Sequence, residues 1–221
     1  MSADPDPAAP HPDGPRRPRV VDVQDGGALA KVLDALDAGL VVALPTDTVY
    51  GLAARIDRPD AMARIFVAKD RPEGLALPVL VGRWRHALDV AASWPRSASM
   101  LAARFWPGAL TVVVPVDPAL GRHLGGDGRS VGLREPDHRF VRAVCRAAGP
   151  LAVTSANRHA APPCTDAAQV RDAFDEAHVA LVADGGTCAG EPSTVVDCTV
   201  SPPACLRHGA IEWPWIEASL R

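Results

Sequence analysis

Short apolar runs alternate with amphipathic segments along most of this chain. The run 40–44 contains no polar residue and predicts a buried strand. Apolar positions in 27–38 recur at helical spacing and predict a helix before that strand. Pro59 predicts the start of a second helix. Pro72 disfavours the α region for the residue before it, so this helix is expected to stop by Asp70. The alternation indicates an α/β protein.

Further elements follow from the same patterns. Strands are predicted at 19–23, 77–81, 109–116, 130–134, 151–154, 179–183, 193–199 and 204–211. Helices are predicted at 84–93, 96–105 and 138–148, and from a cap at Thr165 to about residue 174. The glycine-rich segment 121–128 is expected to be a flexible loop. Because the end of the chain is rich in strands, we expect a twisted mixed sheet rather than a uniformly parallel one.

Composition narrows the class of protein. The chain has 221 residues, 48% of them hydrophobic and 22% charged, which is typical of one globular domain. A net charge of -3 argues against a broadly basic nucleic-acid surface. We found no apolar run of transmembrane length and no signal-peptide core, and the five cysteines are scattered, so a cytoplasmic protein with reduced thiols is expected. Residues 1–18 are predicted to be a disordered proline-rich tail and 19–215 the folded domain.

The stretch after the run 40–44 carries the strongest chemical signal. Residues 45–48 read Pro-Thr-Asp-Thr, which places hydroxyl groups at a strand end, where open α/β sheets bind ligands. Lys69 and Arg71 follow the next helix, and an extended exit would put both side chains on one side as an anion clamp. Lysine occurs otherwise only at Lys31. An ordinary turn, with cations that complement a helix dipole, explains the same residues equally well.

Hydroxyl or amide groups recur at strand ends with cations nearby. The hydroxyl and amide residues are Thr48, Ser130, Ser155, Asn157 and Ser193, and the cations are Lys69, Arg71, Arg134 and Arg207. We expect Ser130 and Arg134 to lie on the same side of an extended strand. The sequence has no H-E-x-x-H or G-x-S-x-G motif and no Cys/His cluster, so no metal site is predicted. Such a set of residues suits the binding of polyanions, whose reactions depend on positioning and electrostatics.

The motifs taken together resemble one family. Residues 45–52, followed by Lys69-Asp70-Arg71-Pro72, resemble the YrdC/Sua5 family of threonylcarbamoyl-AMP synthases in its short single-domain form. Further motifs of that family stand in order at 105–111, 134–136, 155–157 and 193–197. The resemblance covers roughly residues 20 to 211.

This resemblance implies a fold and a reaction. The expected fold is α/β and YrdC-like, with a twisted mixed sheet of parallel and antiparallel strands, flanking helices and a concave ligand groove. The implied activity is that of a nucleotidyltransferase that converts L-threonine, bicarbonate and ATP into threonylcarbamoyl-AMP and pyrophosphate. In that reaction a threonine carbamate attacks the α-phosphate. Mg²⁺ would accompany ATP, and the product would pass to a tRNA threonylcarbamoyl transferase complex, so tRNA would be an indirect partner.

The resemblance also implies roles for individual residues. L-Threonine would be bound by Thr48, Arg134, Val153 and Ser193. ATP would be bound by Lys69, Arg71, Ser130, Ser155, Asn157 and Arg207, with Lys69 and Arg71 also catalytic. The sequence departs from the family pattern at Leu75, where many members have Asn, and at Leu80, where they have His. The polar contacts of those two positions are therefore not expected here.

Two other functions remain open at this point. A paralogous enzyme that forms a different carbamoyl-adenylate would fit the apolar Leu75 and Leu80. A double-stranded RNA-binding module would use a concave basic face to contact phosphates. The net acidic charge and the hydroxyl groups at strand ends favour the enzyme.

Overall fold

A computed structural model describes residues 16–72, 74–158 and 161–221. Its strands are β1 (Arg19–Asp22), β2 (Val42–Leu44), β3 (Gly51–Arg55), β4 (Val79–Leu80), β5 (Leu110–Pro115), β6 (Ser130–Arg134), β7 (Leu151–Ser155), β8 (Leu181–Asp184), β9 (Thr194–Asp197) and β10 (Ala204–Arg207). Its helices are α1 (Ala28–Asp37), α2 (Pro59–Lys69), α3 (Trp84–Val90), α4 (Arg96–Phe105), α5 (Pro118–Leu124), α6 (Arg139–Ala148), α7 (Ala167–Ala173) and α8 (Trp213–Ala218).

The described strands form one mixed sheet, as predicted. The strand order is β1-β8-β2-β3-β7-β4-β6-β5-β9-β10. Neighbours β1 and β8, β8 and β2, β4 and β6, and β5 and β9 are parallel, whereas the other pairs are antiparallel. The α/β class with a mixed sheet is therefore confirmed.

Helices cover the two faces of the sheet unequally. Val41 and Ala43 pack in one apolar core with residues of α2, α4 and α7, and Val42 and Leu44 pack in a second core with α1 and α6. Alternate residues of a strand point to opposite faces, so each core belongs to one face. On the second face, over β4, β5, β6 and β9, side chains line an open cleft instead. This uncovered half of the sheet is where a ligand can reach the strands.

The segment 121–128 is not the uniform loop that its glycines suggested. Its first half belongs to α5, which begins at a proline and is capped by Asp117, whose side chain accepts a hydrogen bond from the Ala119 N–H. Leu124 is fully buried and anchors the helix in the core. Only the glycines after it adopt positive φ. Burial of one apolar side chain has outweighed the low helix propensity of glycine.

One predicted helix cap also needs correction. The cap of α7 is Asp166 rather than Thr165, because the Asp166 carboxylate accepts a hydrogen bond from the Gln169 N–H at 2.8 Å. The bound at 215 falls inside α8, whose Ile216 is fully buried in the core, so the packed domain extends beyond it. The predicted tail 1–18 lies mostly outside the described residues, but Arg17 within it donates hydrogen bonds to two carbonyls of the segment 171–172.

Replacing Gly121 with alanine should destabilise the protein even though alanine is the better helix former by about 1 kcal/mol. A Cβ at Gly121 would lie 2.1 Å from the Gly128 carbonyl oxygen, so the backbone would have to move. Urea denaturation should give a lower free energy of unfolding for Gly121→Ala. The matched control is Gly26→Ala, because a Cβ there meets nothing within 4 Å. Equal stability of both variants would contradict this packing argument.

Candidate active site

The predicted site residues converge on one cleft. The cavity has a volume of about 510 Å³ and lies on the uncovered half of the sheet. The predicted residues that line it are Arg71, Ser130, Arg134, Val153, Ser155, Ser193 and Arg207. Ser130 and Arg134 line it with Gly132 between them, as expected for one side of β6. The remaining three, Thr48, Lys69 and Asn157, are hydrogen-bonded to lining residues.

Arg134 is the buried cation of the cleft. Its Nη1 donates to the Thr48 hydroxyl at 2.9 Å, its Nη2 forms an ion pair with Asp47 at 2.6 Å, and its Nε donates to the Gly108 carbonyl at 2.9 Å. Burial lowers the pKa of Arg134, and the Asp47 carboxylate opposes that shift. These contacts engage three of the five guanidinium N–H donors, so two remain for a ligand.

A hydroxyl turn fixes the approach of Thr48 to Arg134. The Thr46 hydroxyl lies 2.9 Å from the Thr48 hydroxyl and donates to the Val49 carbonyl at 2.6 Å. It also accepts hydrogen bonds from the backbone N–H groups of Thr48 and Val49. The Thr-Asp-Thr sequence therefore forms a side-chain turn, and that turn presents Asp47 and Thr48 to the guanidinium. The turn interpretation of this stretch is confirmed, and the same turn places Thr48 beside an arginine that lines the cleft.

Lys69 is not part of the cleft lining but contacts it through Ser155. It is only 4% exposed, and its Nζ donates to the Ser155 carbonyl at 2.5 Å and to the Asn157 side-chain oxygen at 2.8 Å. The Ser155 hydroxyl in turn donates to the same Asn157 oxygen at 2.6 Å. Burial, with repulsion from Arg71, lowers the pKa of Lys69 to about 8. The ammonium thus holds the loop after β7 in place beside the cleft.

Arg71 lines the cleft, but the backbone that leads to it does not have the predicted conformation. The residue between Lys69 and Arg71, Asp70, is left-handed, with φ 49° and ψ 44°, so the expected extended exit is wrong. The Arg71 guanidinium donates to the backbone carbonyls of Leu75 and Ala76 at 3.0 and 2.9 Å. Burial lowers the pKa of Arg71. A helix that ends in a left-handed cap turns the chain sharply, and the two cations therefore have different partners.

A second polar cluster lines the cleft. The Ser193 hydroxyl lies 2.8 Å from the Thr111 hydroxyl, and Arg207 donates to the Ser193 carbonyl at 2.8 Å and to its hydroxyl at 3.0 Å. Burial and the nearby Arg134 lower the pKa of Arg207. Of the three arginines that line the cleft, only Arg134 forms an ion pair within the described part of the chain. The cleft therefore has uncompensated positive charge for an anionic ligand.

The two positions that depart from the family pattern have different surroundings. Leu80 is buried and lines the cleft, so it makes part of the cleft wall apolar. Leu75 is 48% exposed and contributes its backbone carbonyl to Arg71. Val153 lines the cleft as well, and its backbone N–H donates to the Pro78 carbonyl at 2.8 Å. The substitution at position 80 is thus the one that changes the cleft surface.

Asp47 and Thr111 are polar residues of the site that were not predicted. Asp47 stands between two threonines in the predicted turn, and the local sequence does not indicate its partner Arg134. Thr111 ends the segment 105–111, and its alternation with buried Leu110 and Val112 placed it on the open face of β5. In both cases the partner lies more than 80 residues away in the chain.

The remaining candidate chemistry lies outside the cleft. Burial raises the pKa of the Cys145 thiol to about 12 and that of Cys198 to about 11, which disfavours reactive thiolates. Within the described ranges, no group of three His, Cys, Asp or Glu side chains is arranged to hold a metal ion. None of the described helices is both long enough and apolar enough to cross a membrane.

Comparison with known proteins agrees with this geometry. The family model for Sua5, YciO and YrdC, described as "Telomere recombination", matches residues 34–209. A Mycobacterium tuberculosis protein is 38% identical over 85% of this chain and 87% of its own length. The threonylcarbamoyl-AMP synthase of Bacillus subtilis is also 38% identical, over 86% of this chain, which spans 56% of that enzyme.

A solved structure resembles the fold closely. The structure of Pyrococcus abyssi Sua5 complexed with L-threonine superposes with a TM-score of 0.82 at 33% sequence identity. It covers 91% of this chain, which corresponds to 60% of the archaeal protein. Fold, sequence and the ordered motifs agree, and the chain belongs to the Sua5/YciO/YrdC family.

Proposed function

We propose that this protein is a threonylcarbamoyl-AMP synthase, which makes threonylcarbamoyl-AMP and pyrophosphate from L-threonine, bicarbonate and ATP. The observation that carries the proposal is the single cleft in which Arg71, Arg134 and Arg207 meet the hydroxyls of Ser130 and Ser193. A triphosphate and an amino-acid carboxylate both need such donors. The Bacillus subtilis relative, which is named as a synthase, and the L-threonine complex of the archaeal Sua5 support the same activity.

The residues divide into two groups according to their partners. Arg134, Thr48 and Ser193 would bind threonine, with Val153 and Leu80 as apolar wall. Arg71, Ser130, Ser155 and Arg207 would bind the nucleotide and its phosphates, and Lys69 and Asn157 would hold Ser155 in position. Arg71 would thus be a direct phosphate contact, and Lys69 would act from behind the cleft wall.

The proposed reaction has two steps. The threonine amine condenses with bicarbonate to a carbamate and water. A carbamate oxygen then attacks the α-phosphorus, the bond from that phosphorus to the bridging oxygen breaks, and the electron pair leaves on pyrophosphate. Arginine N–H groups aimed at the phosphate oxygens would stabilise the charge that develops, so positioning and electrostatics supply the catalysis.

Magnesium would enter with ATP as part of the substrate. Asp47 is a carboxylate beside the cleft, and it is paired with Arg134. Phosphate and water oxygens would therefore supply most of the ligands, which is the usual way in which proteins bind Mg²⁺ with nucleotides. The ion would neutralise phosphate charge beside the arginines. The product would pass to a tRNA threonylcarbamoyl transferase complex, and tRNA would be met only indirectly.

Pyrophosphate release tests this function most directly. With ATP, Mg²⁺ and bicarbonate present, adding L-threonine should start release, and omitting any one of the substrates should stop it. Mass spectrometry should identify threonylcarbamoyl-AMP as the coupled product. Pyrophosphate release that ignores threonine would contradict the proposal and favour the paralogous carbamoyl-adenylate enzyme.

Threonine should be preferred over serine, and serine over valine. An apolar wall that includes Leu80 binds the threonine methyl, whose loss costs about 1–3 kcal/mol, or 10- to 200-fold in kcat/KM. Valine lacks the hydroxyl that Thr48 and Ser193 would bind, and the loss of that hydrogen bond costs more. Steady-state rates with the three amino acids at saturating ATP and bicarbonate measure the order. Valine turnover that equals threonine turnover would contradict this order and the threonine-specific assignment.

A further inference from the structure

A separate cavity has in its lining the residue that follows Arg134 in the sequence. Arg134 ends β6 and lines the cleft, whereas the next residue, Glu135, lines a separate cavity of about 480 Å³. One side of α4 and three tryptophans, Trp84, Trp94 and Trp106, complete its lining. The proposed reaction uses none of these side chains.

The tryptophans of this cavity have a defined arrangement. The rings of Trp94 and Trp106 have centroids 6.1 Å apart and are tilted by 56°. The Trp106 indole N–H donates to the Leu110 carbonyl at 2.8 Å, which fixes the orientation of that ring. Trp84 is 48% exposed and forms the outer edge. Three indoles around one space are an electron-rich lining, since each ring face is electronegative.

Glu135 supplies a carboxylate to the same space. Only 8% of the residue is exposed, and its backbone carbonyl accepts a hydrogen bond from the Gly108 N–H at 2.9 Å. Within the described ranges of the chain, no hydrogen bond or ion pair engages its side-chain oxygens. Among the described residues, the buried side-chain atoms without a hydrogen-bond partner are the Nδ1 atoms of His86 and His138, so water in the cavity reaches the Glu135 carboxylate. A cation that enters the cavity can therefore pair with Glu135.

A nearby arginine already lies against one of these rings. The guanidinium carbon of Arg85 lies 5.6 Å from the Trp84 ring centroid, within the range of a cation–π contact. Arg85 is not among the residues that line the cavity, and no ion pair joins it to Glu135 in the part of the chain described. The described residues that line the cavity therefore include no cation to pair with the carboxylate.

We propose that this cavity binds an organic cation of the alkylammonium class. The ammonium head would lie against the indole faces, and Glu135 would supply the counter-charge, as in the aromatic cages that recognise quaternary ammonium groups. An anionic ligand is disfavoured by the carboxylate. The ammonium group can belong to a free amine or to a lysine side chain of another protein, and both present the same chemistry to the cavity.

Choline and its neutral isostere 3,3-dimethyl-1-butanol test this proposal on the wild-type protein. The two molecules have the same shape, but only choline has a charge. Tryptophan fluorescence and calorimetry should show saturable choline binding that is about tenfold tighter than binding of the isostere. Nα-acetyl-lysine amide, as a second probe, distinguishes the two sources of the ammonium group. Tighter binding than choline indicates a lysine side chain of another protein, and weaker binding indicates a free amine. Equal binding of choline and isostere, or no saturable choline binding, would overturn the proposal.

Two variants examine the residues themselves. Glu135→Gln should weaken choline binding about tenfold, and Trp94→Leu should also weaken it, whereas the exposed Glu217→Gln should leave it unchanged. Without ligand, Glu135→Gln should melt at the same temperature as wild type, because in the described part of the chain the carboxylate makes no hydrogen bond or ion pair that the substitution would remove. A lower melting temperature would indicate a structural role for Glu135 and would contradict the proposal, as would unchanged choline affinity.

Discussion

Arg134→Ala should lose both threonine-dependent activity and a large part of the stability of the protein. The side chain of Arg134 is 7% exposed and that of its partner Asp47 is 18% exposed, so the substitution leaves a carboxylate largely buried and unpaired. Loss of one partner of such a pair costs about 3–5 kcal/mol. Loss of a charged hydrogen bond to the substrate should lower kcat/KM for threonine by about 10- to 200-fold. Urea denaturation and steady-state pyrophosphate release measure the two effects.

Substitution of Asp47, the ion-pair partner of Arg134, provides the control for Arg134→Ala. Asp47→Ala in the Arg134→Ala background should recover part of the stability, because it removes the unpaired carboxylate, but it should recover no activity. A double-mutant cycle isolates this coupling. If the double variant were as unstable as the sum of the two single variants, the ion pair at 2.6 Å would contribute nothing and this interpretation would be wrong.

Lys69→Met should lower kcat/KM for ATP by about 10- to 200-fold and leave the KM for threonine nearly unchanged. Methionine preserves most of the buried volume but removes the ammonium that orients Ser155 and Asn157. Pyrophosphate release at varied ATP and at varied threonine separates the two effects. The matched control is Lys31→Met, because Lys31 is the other lysine of the chain and lies exposed on α1. Equal losses in both variants would contradict a role specific to Lys69.

The lowered pKa of Lys69 gives this prediction a pH dependence. Because kcat/KM for ATP reports the free enzyme, it should fall as pH rises through about 8, where Lys69 loses its proton. Stability should respond in the opposite sense. Between about 8 and the ordinary value of 10.5, the unfolded chain binds more protons at this lysine than the folded protein, so its contribution to the free energy of unfolding rises with pH.

Comparing the free energy of unfolding of wild type with that of Lys69→Met isolates the contribution of Lys69, because the other titrating groups are common to both proteins. The buried thiol of Cys145 has a raised pKa, so its contribution to the free energy of unfolding falls with pH above about 9. This change opposes the contribution of Lys69. The difference between wild type and Lys69→Met should therefore rise with pH, whatever the slope of each protein alone. Parallel curves for the two proteins would show that the ammonium is not buried in solution.

The sequence by itself determined the elements whose signals are local. The alternation in 130–134 predicted a strand with Ser130 and Arg134 on one side, and β6 has those bounds and lines the cleft with those residues. The spacing in 96–105 likewise predicted α4 to the residue. The ordered motifs predicted the family, because each is a short run of fixed residue types that needs no knowledge of distant contacts.

Only the tertiary structure decided features that depend on distant partners. Asp70 adopts a left-handed cap, so Lys69 turns toward the loop after β7 while Arg71 turns toward its own following segment. Gly121 lies in a helix because Leu124 is buried there. The Asp47–Arg134 pair joins residues 87 apart, and the burial of Glu135 against tryptophans of other segments is equally non-local. Local propensity is a weak force that packing overrides, and pairing across the sheet is not encoded in either segment alone.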